Sequence, residues 1–120
     1  RVVFSSKGSW EDGLGLRTNL GNVQAGSTSG WTNNIWHHVA VVRNGTAINI
    51  YRNGVSNATA TWSGAITDTT QNVIVGMDSR SEPPTDYPFN GYIDELRITK
   101  GEARYTSNFT PPTSAFLSTE

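Results

Sequence analysis

Trp36-His37-His38-Val39-Ala40-Val41-Val42-Arg43-Asn44-Gly45-Thr46-Ala47-Ile48-Asn49-Ile50-Tyr51-Arg52-Asn53-Gly54 decides the fold. Trp36 to Arg43 reads as a strand, and Asn44-Gly45 is a dipeptide favoured in two-residue type I′ hairpin turns. Thr46 to Arg52 then reads as the partner strand. A second pair, Asn53-Gly54, turns the chain into Val55 to Thr61, which predicts a three-stranded meander. In its middle strand Ile48 and Ile50 point to one face, while Ala47, Asn49 and Tyr51 point to the other. One apolar and one mixed face is the pattern of a sandwich strand.

Outward from this meander the same pattern recurs. Upstream, Val2-Val3-Phe4-Ser5, Gly13-Leu14-Gly15-Leu16-Arg17 and Asn22-Val23-Gln24-Ala25 read as short strands. Downstream, Asn72 to Met77 reads as a buried strand. Gly91 to Thr99 reads as another, with Tyr92, Asp94, Leu96 and Ile98 on one face and Ile93, Glu95 and Arg97 on the other. Between them, Asp78 to Asn90 carries three prolines and mixed charge, so it is the longest irregular connection. Gly101 to Thr106 can hold one helical turn, and Pro111-Pro112 ends regular structure.

Composition agrees. Ser, Thr, Asn and Gly together make 50 of the 120 residues, which suits many short strands joined by turns and argues against a helical fold. A formal net charge of −1 gives no long-range attraction to nucleic acid or to an anionic membrane. The longest apolar run, Val39 to Val42, is far short of the roughly 20 residues of a membrane helix, and no secretory signal opens the sequence. Without cysteine there is neither a disulfide framework nor a thiolate metal cage.

The meander and Phe89-Asn90-Gly91-Tyr92-Ile93-Asp94-Glu95-Leu96-Arg97-Ile98 together resemble the laminin G-like branch of the concanavalin A-like lectin/glucanase superfamily. The ending, Thr99 to Thr113, is similar to endings found on such modules in bacteriophage and marine viral structural proteins. The resemblance implies an all-β fold, an antiparallel two-sheet β-sandwich of the jelly-roll type. It places the domain at residues 1–113, followed by a tail at 114–120. It also implies that a segment of roughly 30 to 50 residues with two further strands belongs ahead of Val2, so the chain is expected to be part of a larger polypeptide.

Catalytic chemistry is not expected. Glucanases of this superfamily place an acid and a nucleophile on one strand face, about 5 Å apart. Asp94 and Glu95 are adjacent and would face opposite ways, as would Glu11 and Asp12 if extended. Consecutive His37 and His38 likewise cannot chelate together on a strand, and Trp36 and His37 read as packing and hydrogen-bonding residues. Gly26-Ser27-Thr28-Ser29-Gly30 has Thr at the centre and no strand-turn-helix context, so it is not a nucleophile elbow.

Recognition is the expected role. Relatives of the resembled family hold calcium at the sandwich rim through acids and backbone carbonyls, which makes Asp12 and Asp78 the matching candidates for metal ligands and calcium the candidate ion. Asp94 is a second candidate, weighed against a carboxylate that only braces a loop. A sugar needs an aromatic platform beside hydrogen-bonding groups, and Trp10, Trp31, Trp62 and Tyr87 all fall in turns or loops, each weighed against a ring that tucks back over the sandwich edge, the commoner fate of a loop Trp. Trp10, Asp12, Asp78, Arg80 and Tyr87 are therefore the candidate ligand-binding residues. The implied partners are a cell-surface glycan or neighbouring virion proteins, in a multi-chain assembly on a virion or extracellular surface. The alternative is a purely structural virion component that binds no sugar.

Overall fold

The computed structural model describes residues 2–5, 13–18, 20–25, 31–67, 75–76 and 89–116. These contain six strands and no helix: β1 (Val2–Ser5), β2 (Gly13–Thr18), β3 (Gly21–Ala25), β4 (Val39–Asn44), β5 (Ala47–Arg52) and β6 (Val55–Thr61). They form two three-stranded antiparallel sheets, each a meander in chain order. One sheet is β1-β2-β3 and the other β4-β5-β6. Together they make a β-sandwich, with β3 lying against β5 and β6.

The core between the sheets follows from the alternation. Leu16 and Val23 come from the first sheet, and Ile48, Ile50 and Trp62 from the second, all buried, with Leu20, Trp31, Val39, Val41, Ala58 and Ala60 packed around them. Ile48 and Ile50 are fully enclosed, as their shared face predicts. Trp62 follows β6 and lies over Gly21, where an added Cβ would sit 3.3 Å from the indole Nε1. The Trp62 backbone N–H donates to the Thr46 carbonyl at 2.8 Å, which ties the end of β6 to the first hairpin turn.

The two hairpin turns differ. At Asn53-Gly54 both residues have positive φ, +51° and +79°, between the paired Arg52 and Val55, as a type I′ turn requires. At the first hairpin the register pairs Asn44 with Ala47, so the central residues are Gly45 and Thr46. The positive φ falls on Gly45 (+60°) and not on Thr46, the signature of a type II′ turn with Gly first. The expected Asn44-Gly45 type I′ turn is thus displaced by one residue, because Asn44 is taken up in the β4–β5 ladder. Arg43 closes this end: its Nε donates to Gly45 O at 2.8 Å and its Nη2 donates to Gly64 O. Farther along, Ile50 pairs with Ala58 but Tyr51 with Ser56, so Asn57 is the extra residue of a bulge in β6.

Three expectations fail downstream. Residues 91–99 do not form a strand: Glu95 takes a left-handed φ of +51°, which breaks the extended backbone. The Phe116 N–H donates to the Glu95 carboxylate at 2.6 Å, and the Arg97 guanidinium lies 3.8 Å from the Phe116 ring centroid. Tyr92, Leu96 and Ile98 are left exposed. Of the strand expected over 72–77, Val75 and Gly76 are described; neither is in a strand, and Gly76 turns with φ +84°. Phe89 N–H donates to Gly76 O at 2.7 Å.

The third correction concerns Gly101 to Thr106, which form no helical turn. Here the chain lies over the outer face of the second sheet. Tyr105 and Phe109 stack with centroids 3.6 Å apart and planes 7° from parallel, and both rings meet Tyr51 edge to face. Phe109 N–H donates to Gly54 O, and Ser56 N–H donates to the Asn108 side chain, each at 2.9 Å. The Tyr105 carbonyl lies 3.4 Å from the Tyr51 hydroxyl, so it serves the sheet rather than a helical N–H. Tyr51, on the mixed face of β5, is fully buried as a result.

Candidate functional site

The end of the second sheet that carries the Asn53-Gly54 turn also carries the loop from Trp31 to His38. Asn53 holds the two together. Its backbone N–H donates to His38 O at 2.8 Å, and its side-chain Oδ1 accepts from His38 N–H at 2.9 Å. That fixes the amide orientation and turns its Nδ2 towards His37 Nδ1, 3.5 Å away. The other ring nitrogen, Nε2, lies 3.0 Å from Thr32 O and 3.3 Å from Thr32 N, so the imidazole is hydrogen-bonded to the Thr32 backbone.

His37 therefore closes the loop on itself. Its ring also meets Trp31 edge to face at 5.0 Å, and the Arg52 guanidinium sits 5.2 Å from the Trp31 ring centroid. Trp31 is half-buried and packs on the core, with its indole Nε1 buried and without a hydrogen-bond partner. Asn34 tightens the loop with a φ of +63°, a conformation asparagine tolerates better than most residues. The pinned loop thereby presents Asn33, Asn34, Ile35 and Trp36 to solvent, with Trp36 68% exposed.

Trp36 reverses its sequence reading. Packing was expected of it, but the side chain that packs at this loop is Trp31. His37 does make the hydrogen bonds expected of it. Trp62, weighed as a loop aromatic, tucks between the sheets. No sequence signal distinguishes the exposed Trp36 from the half-buried Trp31, since both flank the same turn.

His38 faces the other way. Its ring meets Phe109 at 5.4 Å and Tyr105 at 6.2 Å, both edge to face, and its Nδ1 is buried without a partner. Burial holds the imidazole below its ordinary value, because a charged ring would lose its hydration there.

The five residues expected to bind ligand, Trp10, Asp12, Asp78, Arg80 and Tyr87, lie outside the described residues, and so does the proposed calcium pair Asp12 and Asp78. Among the described residues no three acids or histidines gather in a way that could hold a metal ion. Asp94 braces its own loop, its Oδ1 accepting from Glu95 N–H at 2.8 Å. The Glu95 carboxylate is engaged by Phe116 N–H. The exposed side of the Trp31–His38 loop offers an indole face, an aliphatic side chain and amides.

No curated protein and no solved structure matches the chain. A laminin G family model, described as concanavalin A-like lectin/glucanases superfamily, matches residues 2–104. Domains of this kind commonly mediate carbohydrate or protein binding. The two packed antiparallel sheets, the meander about Ile48 and Ile50 and this match over most of the length agree: the chain belongs to the concanavalin A-like lectin/glucanase superfamily, in its laminin G-like branch.

Proposed function

We propose that this domain is a non-catalytic recognition module that binds glycan through the Trp31–His38 loop. The observation that carries the reading is Trp36, 68% exposed on a loop pinned by His37 and Asn53. A pyranose presents an apolar face of C–H groups and a ring of hydroxyls. The indole of Trp36 suits the first, and the exposed amides of Asn33 and Asn34 suit the second. A loop already held in shape loses little further freedom on binding. Support for a non-catalytic role comes from the carboxylates: no two acids in the sequence stand at i, i+2 spacing, and Asp94 and Glu95 are engaged by backbone N–H groups.

The setting we infer is a larger, multi-chain assembly on a virion or an extracellular surface. It rests on the likeness of residues 99–113 to endings of bacteriophage and marine viral structural proteins. Tyr92, Ile93, Leu96 and Ile98, 49 to 87% exposed, favour a second reading, in which the domain packs against neighbouring proteins and binds no sugar.

The test is glycan-array screening followed by calorimetry on the wild type and on Trp36→Ala. The glycan reading expects binding to a subset of sugars that Trp36→Ala loses while the melting temperature holds. Binding that survives Trp36→Ala unchanged, or no binding up to millimolar sugar, overturns it in favour of the packing role.

A further inference from the structure

Hydrogen bonds to the β5–β6 hairpin fasten the C-terminal segment that crosses the outer face of the second sheet, and its aromatic rings close over a histidine. Phe109 N–H to Gly54 O and Ser56 N–H to Asn108 fasten one end, and Tyr51 and the stacked Tyr105–Phe109 pair fill the middle. His38 lies edge-on to both stacked rings. We propose that residues 103–111 form a latch over the β4–β5–β6 face that protonation of His38 releases.

The chemistry is local. In the docked state the buried Nδ1 has no hydrogen-bond partner. A neutral imidazole tolerates this as an unshared lone pair, whereas an imidazolium would carry an N–H there with no acceptor. Among the described residues, the groups that contact His38 carry no negative charge. From the β5 turn His38 is met by Asn53, whose Oδ1 already accepts the His38 backbone N–H. From the latch it is faced by the Tyr105 phenol and the Phe109 ring.

The nearby cations are directed elsewhere. The Arg52 guanidinium lies over Trp31, and Arg104 Nε donates to Thr99 Oγ1 at 2.9 Å. His37, on the same segment, bonds Thr32 and approaches Asn53. Cation–π attraction to Tyr105 and Phe109 opposes release, and burial, which displaces the imidazole downward from 6.5, favours it. Undocking lets the charged ring reach water, and it uncovers Tyr51, which the latch keeps fully buried.

The experiment is an NMR titration of the whole chain from pH about 7.5 to about 4.5, following the His38 ring together with the Phe109 and Ser56 amides. The latch expects the three to move with one midpoint below 6.5, with collapse of the ring-current shifts of Tyr105 and Phe109, while the amides of the Gly45 turn at the far end stay put. In His38→Phe, which keeps an aromatic ring without a titrating nitrogen, the Phe109 and Ser56 signals should stay docked throughout. Three results overturn the proposal: His38 titrates while Phe109 and Ser56 do not move, their movement persists unchanged in His38→Phe, or His38 stays neutral to the end of the range. The first and last are read on the wild type, so they stand even where the variant fails to fold.

Discussion

Gly54→Ala and Gly45→Ala make the same chemical change in two hairpin turns of one meander, and the structure assigns them different costs. Gly45 has φ +60° and no atom within 4 Å of where a Cβ would sit, so alanine there bears only the left-handed backbone penalty, about 1 kcal/mol. Gly54 has φ +79° and bears that penalty too. A Cβ on Gly54 would also collide with the Phe109 carbonyl, whose carbon would lie 2.9 Å away, with Pro111 Cδ at 3.0 Å. These are largely backbone and ring atoms with nowhere to rotate, so the C-terminal segment must leave. Its departure gives up the Phe109–Gly54 hydrogen bond, about 1 kcal/mol, and the aromatic contacts of Tyr51, Tyr105 and Phe109, about 0.5–1.5 kcal/mol for each pair. Gly54→Ala should therefore cost about 3–5 kcal/mol against about 1 for Gly45→Ala. Urea unfolding of the two variants and the wild type measures the difference directly. Amide exchange adds a local readout, with Phe109 and Ser56 losing protection in Gly54→Ala alone. Two variants within about 0.5 kcal/mol of each other, with Phe109 still protected in both, would refute the docking of this segment as a contributor to stability.

Trp62 and Trp36 separate fold from recognition. Trp62→Ala removes a core ring that is 8% exposed and should cost about 3–5 kcal/mol, while Trp36→Ala should stay within about 0.5 kcal/mol of wild type by the same urea assay. Stability should also fall on acidification: His38 is displaced downward in the folded chain, so the unfolded chain binds the extra proton, and its contribution is complete above 6.5 and lost as pH falls below that value. His38→Phe should flatten that part of a pH series of melts. If Asp12 and Asp78 share a calcium ion, added calcium at equal ionic strength raises the melting temperature and Asp12→Ala or Asp78→Ala abolishes the rise; a melt indifferent to calcium removes the ion from the rim.

How far the sequence could be read depended on the range of the interaction concerned. The β4–β5–β6 meander was legible because strand alternation and the Asn-Gly turns act within a few residues, and Ile48 and Ile50 are buried on the face their spacing assigns. Even there the first turn moved by one residue, since a glycine supplies positive φ equally well to a type I′ or a type II′ turn. Residues 91–99 alternate as cleanly as β5, yet a strand also needs a neighbour, and alternation says nothing about whether one is present. At the candidate site, Trp31 and Trp36 stand five positions apart in one loop, and the divide between them is made by the core packing of Trp31 and the closure of the loop by His37 and Asn53.

The outer face of the second sheet shows the limit most plainly. Alternation correctly put Tyr51 opposite Ile50, and by itself it predicts a residue turned towards water. What buries Tyr51 arrives more than fifty positions later, in Tyr105 and Phe109. The trace of that arrival in the sequence is Gly54, which satisfies two demands with one missing side chain: the positive φ of its own turn and the close approach of the Phe109 backbone. The first demand explains the glycine completely on local grounds, which is why the second stays hidden until the chain is folded. Asparagine can meet the turn geometry, as Asn53 does beside it, but cannot admit the Phe109 carbonyl. A Gly54→Asn substitution thus keeps the turn while expelling the segment, and it isolates the contribution of the covered face from that of the hairpin beneath it.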